Sequence, residues 1–375
     1  MTAPAGAALR YTIDLGALRR NWRRLAAMAA PAECAAAIKA DAYGIGAARA
    51  VPALAASGCR SFFVALPHEG VAVRAVAPEA AIYVLNGFTP EAAELYRANA
   101  LRPVLNSEEE VSEWTGWRSA LPDQRTAMPA ALHVDTGMNR LGLRLEEAER
   151  LSGSPLLAQA GIALVMSHLA CADAPDHPLN QAQREHTERL RALFPGLPLS
   201  LANSAGIHHG AAFHFDMVRP GIALYGGGCH PASQSEPVVT AEARILQVRE
   251  AGAGETIGYG AARRLARDSR IAILGAGYAD GYLRASGDSD ARPGASILIA
   301  GRHAPLLGRV SMDLIAADVT DIPAEEVRRG GWAELFGPNV SIDDVAAHAG
   351  TIAYELLTGL SRRAERRYVE NSKPG

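Results

Sequence analysis

From residue 14 to about residue 230 the chain alternates short apolar runs with amphipathic stretches. Asp14 is placed to cap a helix in which Leu15, Leu18, Trp22 and Leu25 recur at helical spacing. Strand-like runs follow at residues 34–38, 61–65, 81–85, 102–105, 130–134, 161–166, 197–201 and 213–218. Helix-like segments lie between them, among others at 90–99, 107–117, 146–151 and 180–193. Repeated βα units predict a parallel sheet covered by helices. Eight of them suit a closed (β/α)₈ barrel. A doubly wound open sheet is the alternative, because periodicity does not reveal closure. After Gly226-Gly227-Gly228 and the polar stretch 230–237 the texture changes. Short β-like runs at 238–250, 270–274, 296–300 and 314–319 are broken by glycine and proline, with one late helical piece at 342–348. The expected architecture is therefore an α/β barrel over 13–230 and a mainly antiparallel β domain over 231–375.

Composition narrows the class. Hydrophobic residues make up 49% of the chain and charged residues 21%, an ordinary balance for a soluble globular protein. A formal net charge of −3 gives no reason to expect nucleic acid or an anionic membrane as partner. The four cysteines show no C-x-x-C spacing and suit a reduced, packed state. No apolar run reaches the ~18 residues of a simple span. Residues 1–10 lack a basic segment followed by a long apolar one, so no signal peptide is read. These features fit a cytoplasmic protein.

One composition detail carries chemistry. The chain has 37 basic residues, and only Lys39 and Lys373 among them are lysines. An amine can lose its proton when desolvated and form a Schiff base, which a guanidinium cannot. Lys39 follows directly on the run 34–38, and catalytic groups of a (β/α)₈ barrel sit at such strand ends. A snorkelling lysine left by genomic base composition is an equal reading of Lys39 alone. The loops after strands seven and eight, with Asn203, Ser204, Ala205 and Gly206 and then Arg219, Pro220, Gly221 and Ile222, are where this fold usually binds phosphate. A lysine facing a phosphate cradle points to pyridoxal phosphate.

The motifs as an ordered set are more specific. They include Ile38-Lys39-Ala40-Asp41-Ala42-Tyr43-Gly44, His133-Val134-Asp135-Thr136-Gly137-Met138-Asn139-Arg140, Ser167-His168, Asn203-Ser204 and Arg219-Pro220-Gly221-Ile222. Gly258-Tyr259-Gly260, Gly277-Tyr278-Ala279-Asp280, Ser311-Met312-Asp313 and Tyr354-Glu355 complete it. From residue 13 nearly to the C-terminus the chain resembles the alanine racemases, fold-type III pyridoxal-phosphate enzymes. The resemblance implies a homodimer with shared active sites, and residues 1–12 packed with the β domain. It implies racemisation of alanine by two bases, Lys39 and the partner subunit's Tyr259, for cell-wall synthesis or alanine catabolism. By the same resemblance, Arg140 contacts that tyrosine and the substrate.

The resemblance also assigns the cofactor's contacts. Phosphate falls to Tyr43, Ser204, Gly221, Ile222 and Tyr354, with Asn203 beside them. Arg219 lies against the pyridine nitrogen, oriented by His168. Related decarboxylases carry a carboxylate where this chain has Arg219, which argues against that activity. Met312 and Asp313 lie near the substrate from the partner subunit and Tyr278 narrows the entrance; the methionine and tyrosine favour a one-carbon side chain by exclusion. Several family members carry a carbamylated lysine where this chain has His133. An anion, a neighbouring acceptor or the histidine itself is then expected to position Arg140. The rival readings are a racemase of serine or of broad specificity, and a pyridoxal-phosphate carrier protein of the same barrel class. The carriers are usually the barrel alone. No metal site is read.

Overall fold

A computed structural model describes residues 6–121 and 128–370; Lys373 lies outside the described residues. The chain forms two compact units, one made of residues 18–224 and 228–235, the other of residues through 17, 225–227 and 236 onward.

The first unit is a parallel barrel. Its opening strand is broken at Ala35 into Glu33–Cys34 and Ala36–Ala37, and the two halves pair with different neighbours. Glu33 and Cys34 lie opposite Met217 and Val218, whereas Ala36 and Ala37 lie opposite Phe62 and Phe63, all in parallel. That split closes the sheet, so nine hydrogen-bonded segments occupy eight strand positions and the open-sheet alternative is excluded. The other strands are Ser61–Val64, Ala81–Val84, Arg102–Leu105, Ala130–His133, Ile162–Met166, Leu199–Ser200 and Met217–Val218. The last is shorter than its apolar run because the 3₁₀ turn Ala211–Phe213 continues as a turn through residues 214–216, with Phe215 at φ 52°. Side chains facing the axis form one cluster that includes Ala35, Phe63, Tyr83, Val104, Ala131 and Leu164. Phe63 and Tyr83 stack with centroids 4.7 Å apart opposite small alanines, which is how a narrow barrel fills itself without a pore. Asp14 caps the helix Leu15–Ala29, its Oδ1 accepting the Ala17 N–H at 3.0 Å. Among the described residues no helix is long and apolar enough to cross a membrane. The four cysteines are unbridged.

The second unit is built on the long strand Val239–Ala251, whose burial alternates over its first seven residues. Leu9–Asp14, Trp332–Phe336 and Ser269–Leu274 pair with it antiparallel, and Ile315–Asp318 extends the sheet beyond Ser269–Leu274. Among the described residues of this unit, the one parallel pairing joins Leu9–Asp14 to Glu365–Val369. The helix at Ile342–His348 falls where the sequence pattern puts it, with Ser341 Oγ accepting two backbone N–H groups. A second short helix, Ala353–Thr358, and the strand Trp332–Phe336 were not apparent from the sequence.

Candidate active site

All barrel strands run the same way, so their C-terminal ends share one mouth. The first strand delivers Lys39 there. The four residues after it, Ala40 to Tyr43, have φ between 51° and 55°, a left-handed turn containing no glycine. Such residues cost roughly 1–2 kcal/mol each, so the turn stores about 4–8 kcal/mol that the surroundings must offset. The Lys39 amine is held below its ordinary pKa, chiefly by burial and next by the Arg140 guanidinium, with Glu69 opposing. Both leading causes favour the neutral, nucleophilic amine.

Arg219 follows the last strand and is buried. Its Nη2 donates to Ser167 O at 2.5 Å and Leu201 O at 3.5 Å, and its Nη1 donates to Ser200 Oγ. Nη2 also lies 3.3 Å from His168 Nδ1. A guanidinium has no lone pair to offer, so His168 Nδ1 must accept and its proton sits on Nε2. Burial, then Arg219 and Arg140, push the His168 pKa well down, which agrees with a neutral imidazole. Burial alone lowers Arg219 to about 9, leaving it charged at neutrality. Its acceptors are all uncharged, and its Nε–H donates to no described residue.

The loops after strands seven and eight are stitched together by Ser204, whose Oγ accepts the Gly221 N–H at 2.8 Å and the Ala223 N–H at 3.3 Å. Asn203 Oδ1 is committed to the Gly206 N–H at 3.0 Å and so shapes the loop. Buried Ile222 opens the 3₁₀ turn Ile222–Leu224. A Cβ at Gly221 would lie 2.3 Å from Tyr43 Oη, so only glycine admits the phenol here. Burial pushes Tyr43 up to about 12, which keeps its hydroxyl a donor. His133 Nδ1 meets Asn106 Oδ1 at 2.9 Å. The Asn106 amide donates to Val104 O at 2.8 Å and Leu85 O at 3.3 Å, so its oxygen faces His133 and His133 Nδ1 carries the proton. Burial, with Arg219 next, lowers the His133 pKa to about 4. The exposed Arg140 side chain makes no hydrogen bond with a described residue.

The second unit carries the other candidates. Tyr259 is 73% exposed on a turn flanked by Gly258 and Gly260, both at φ 71°. Tyr278 and Met312 are drawn together by the backbone: the Tyr278 N–H donates to Ser311 O and the Ala279 N–H to Met312 O, both at 3.0 Å. Arg363, which the sequence did not single out, donates at 2.9 Å to both Asp313 Oδ1 and Asp280 Oδ1. Tyr354 rides on the helix Ala353–Thr358, 38% exposed. Glu69 was also missed, although a glutamate three residues into a helix is a capping signal that marks it.

The residues fit pyridoxal phosphate on structural grounds: a deprotonation-prone amine, a buried guanidinium with a spare donor, and the Ser204 hydroxyl and Tyr43 phenol brought together at Gly221. Comparison with known proteins settles the family. The model of the alanine racemase N-terminal domain matches residues 13–228, and that of the C-terminal domain matches residues 238–368.

The chain belongs to the alanine racemase family.

An alanine racemase of Methylobacterium sp. (strain 4-46) is 51% identical over 98% of this chain and 99% of its own length. A biosynthetic alanine racemase of Agrobacterium fabrum is 48% identical over 97% of this chain and 94% of its own length. Among solved structures, an alanine racemase of Bartonella henselae with covalently bound pyridoxal phosphate superposes with a TM-score of 0.90 at 38% identity, covering 97% of this chain and 100% of that one. Membership in this family of racemases makes the chain an isomerase and accounts for the barrel joined to an antiparallel sheet.

Proposed function

We propose that the protein interconverts L- and D-alanine using pyridoxal phosphate held on Lys39, as a homodimer in which each site borrows the partner subunit's Tyr259. The observation that carries this reading is the amine of Lys39, driven toward its neutral form at the mouth of the same barrel that buries Arg219 among uncharged acceptors. Pyridoxal phosphate, when bound, supplies an electron sink that acidifies the substrate Cα–H. The rest falls to side chains. Ser204, Tyr43 and the backbone at Gly221 and Ile222 take the phosphate, with Tyr354 as a further donor. Arg219, which stays protonated, donates to the ring nitrogen and leaves it without a proton, while His168 orients the guanidinium.

Racemisation needs a proton removed from one face and returned to the other. Lys39 Nζ serves one face and Tyr259 Oη the other. Arg140 lies close enough to Lys39 to lower its proton affinity, and its guanidinium is the contact offered to the partner subunit's Tyr259. The partner subunit's Met312 and the partner subunit's Asp313 lie near the substrate and Tyr278 narrows the entrance, which favours a methyl side chain. Large apolar side chains left exposed on the second unit, among them Tyr259, Met312, Leu314 and Ile352, support a second copy as their cover.

The test is a racemisation panel across small L- and D-amino acids with the parent and Tyr259→Phe. The parent should favour alanine. Tyr259→Phe should keep the cofactor and lose about 10²-fold or more in rate. Parental rates in that variant would remove Tyr259 from the mechanism, and a preference for serine would reassign the substrate.

A further inference from the structure

Ala40, Asp41, Ala42 and Tyr43 run through the left-handed region at φ 53°, 55°, 55° and 51°, directly after Lys39. Such conformations persist where the surroundings over-determine them, and they cluster at functional sites. The far end of the turn is held locally. Asp41 Oδ1 accepts the Ala47 N–H at 2.7 Å, and the Gly46 N–H donates to Asp41 O at 2.9 Å. The end next to Lys39 is held from another element. Glu69 Oε1 accepts the Ala40 N–H at 2.6 Å, while Oε2 accepts the N–H groups of Ala65 at 2.8 Å and Leu66 at 3.1 Å. Ala65 and Leu66 follow the second barrel strand, and Glu69 is the third residue of the helix Pro67–Val76. A carboxylate is stabilised there by the unpaired N–H groups of the first turn.

We propose that Glu69 is a positioning residue for Lys39, its carboxylate clamping the left-handed turn and with it the direction in which the amine leaves the first strand. The Ala40 N–H and the Lys39 carbonyl share one rigid peptide plane. Fixing that N–H therefore fixes the backbone rotation about Lys39 itself. Because Oε2 grips the backbone after strand two, the plane is referenced to the barrel and not to the turn alone. The same carboxylate favours the protonated amine, against burial and Arg140, so aim and proton load at Lys39 share one control. The proposal rests on the reading of Lys39 as the cofactor-bearing amine.

Three variants of the holoenzyme test it: Glu69→Gln, Glu69→Asp, and Glu69→Gln combined with Ala40→Gly. The amide keeps one acceptor oxygen in place of two. Aspartate keeps the charge at the helix start but is one methylene short, so it cannot grip both strand ends, and it carries the test if Glu69→Gln does not fold. Glycine takes φ > 0 without penalty, and the exposed Ala40 methyl packs little. The measurements are kcat and KM for D-alanine, and the rate at which hydroxylamine releases the cofactor, followed by visible absorbance. Glu69→Gln and Glu69→Asp should lower kcat about tenfold to a hundredfold and speed release, with KM within about threefold of the parent. Adding Ala40→Gly should recover a measurable part of both losses. Parental kcat and release in the folded Glu69 variants would overturn the proposal, as would failure of Ala40→Gly to restore either. A parent holoenzyme that does not racemise alanine would instead overturn the functional reading, and the release rate reports on Lys39 without any substrate.

Discussion

Replacing Gly221 by alanine adds one methyl group where the loop after the last strand meets the left-handed turn. The new Cβ would sit 2.3 Å from Tyr43 Oη, 3.0 Å from Tyr43 Cζ and 3.6 Å from Ala37 Cβ. Ordinary contact begins near 3.4 Å, so the phenol must retreat by about 1 Å. Tyr43 is only 5% exposed, and its retreat presses on packed neighbours. Overpacking of this kind costs about 1–3 kcal/mol. If the cost falls on the cofactor-bound state, the dissociation constant for pyridoxal phosphate rises about 5- to 150-fold. Where the stripped protein already bears part of it, the melting temperature falls by roughly 2–4 °C per kcal/mol. The assay is a titration of stripped Gly221→Ala with pyridoxal phosphate by visible absorbance, with melting curves of both forms. Tyr43→Phe supplies the control, since it removes the hydroxyl and leaves the nearest ring atom at 3.0 Å. Gly221→Ala should cost less than half as much in that background. Parental affinity and parental melting in the single variant would refute the reasoning that glycine is required here for Tyr43.

Two further predictions concern charge. His133 is held at about 4 in the fold against an ordinary 6.5, so the unfolded chain takes up a proton first as the pH falls. Its contribution is complete above about pH 6.5 and lost as the pH drops through 4, worth about 3 kcal/mol. Urea unfolding at a series of pH values should show this slope, and His133→Asn should flatten it; identical slopes would contradict the assignment. Arg219→Lys keeps the charge but not the fork, and three ammonium protons cannot reproduce the spread of bonds to Ser167, Leu201, Ser200 and His168. Stability should fall by about 1–3 kcal/mol in urea unfolding, and an unchanged midpoint would mean that Arg219 is not anchored as described.

The barrel was legible because its strands are buried on both sides and read as short apolar runs between amphipathic stretches. Closure was not legible. It depends on Glu33–Cys34 and Ala36–Ala37 choosing different neighbours, which leaves no mark on periodicity. Strand ends put Lys39, His168, Ser204 and Arg219 at one mouth, because parallel strands all point the same way. The left-handed turn stayed hidden, since Ala40 to Tyr43 contain neither glycine nor asparagine and are held by Glu69 across 29 positions of sequence. In the second unit, the strand Trp332–Phe336 alternates correctly but sits between Gly331 and Gly337, which read as loop. The six-residue helix carrying Tyr354 is too short for periodicity to show. Arg363 had no local signal, because its partners Asp280 and Asp313 are 83 and 50 positions away.

The central claim is that Lys39 bears the cofactor, and the scarcity of lysine makes the test direct. Borohydride reduction of the purified holoenzyme followed by peptide mapping should place a reduced pyridoxyl group on the peptide containing Lys39, near one per chain. A label confined to Lys373, or no label on a protein with visible cofactor absorbance, would contradict the account.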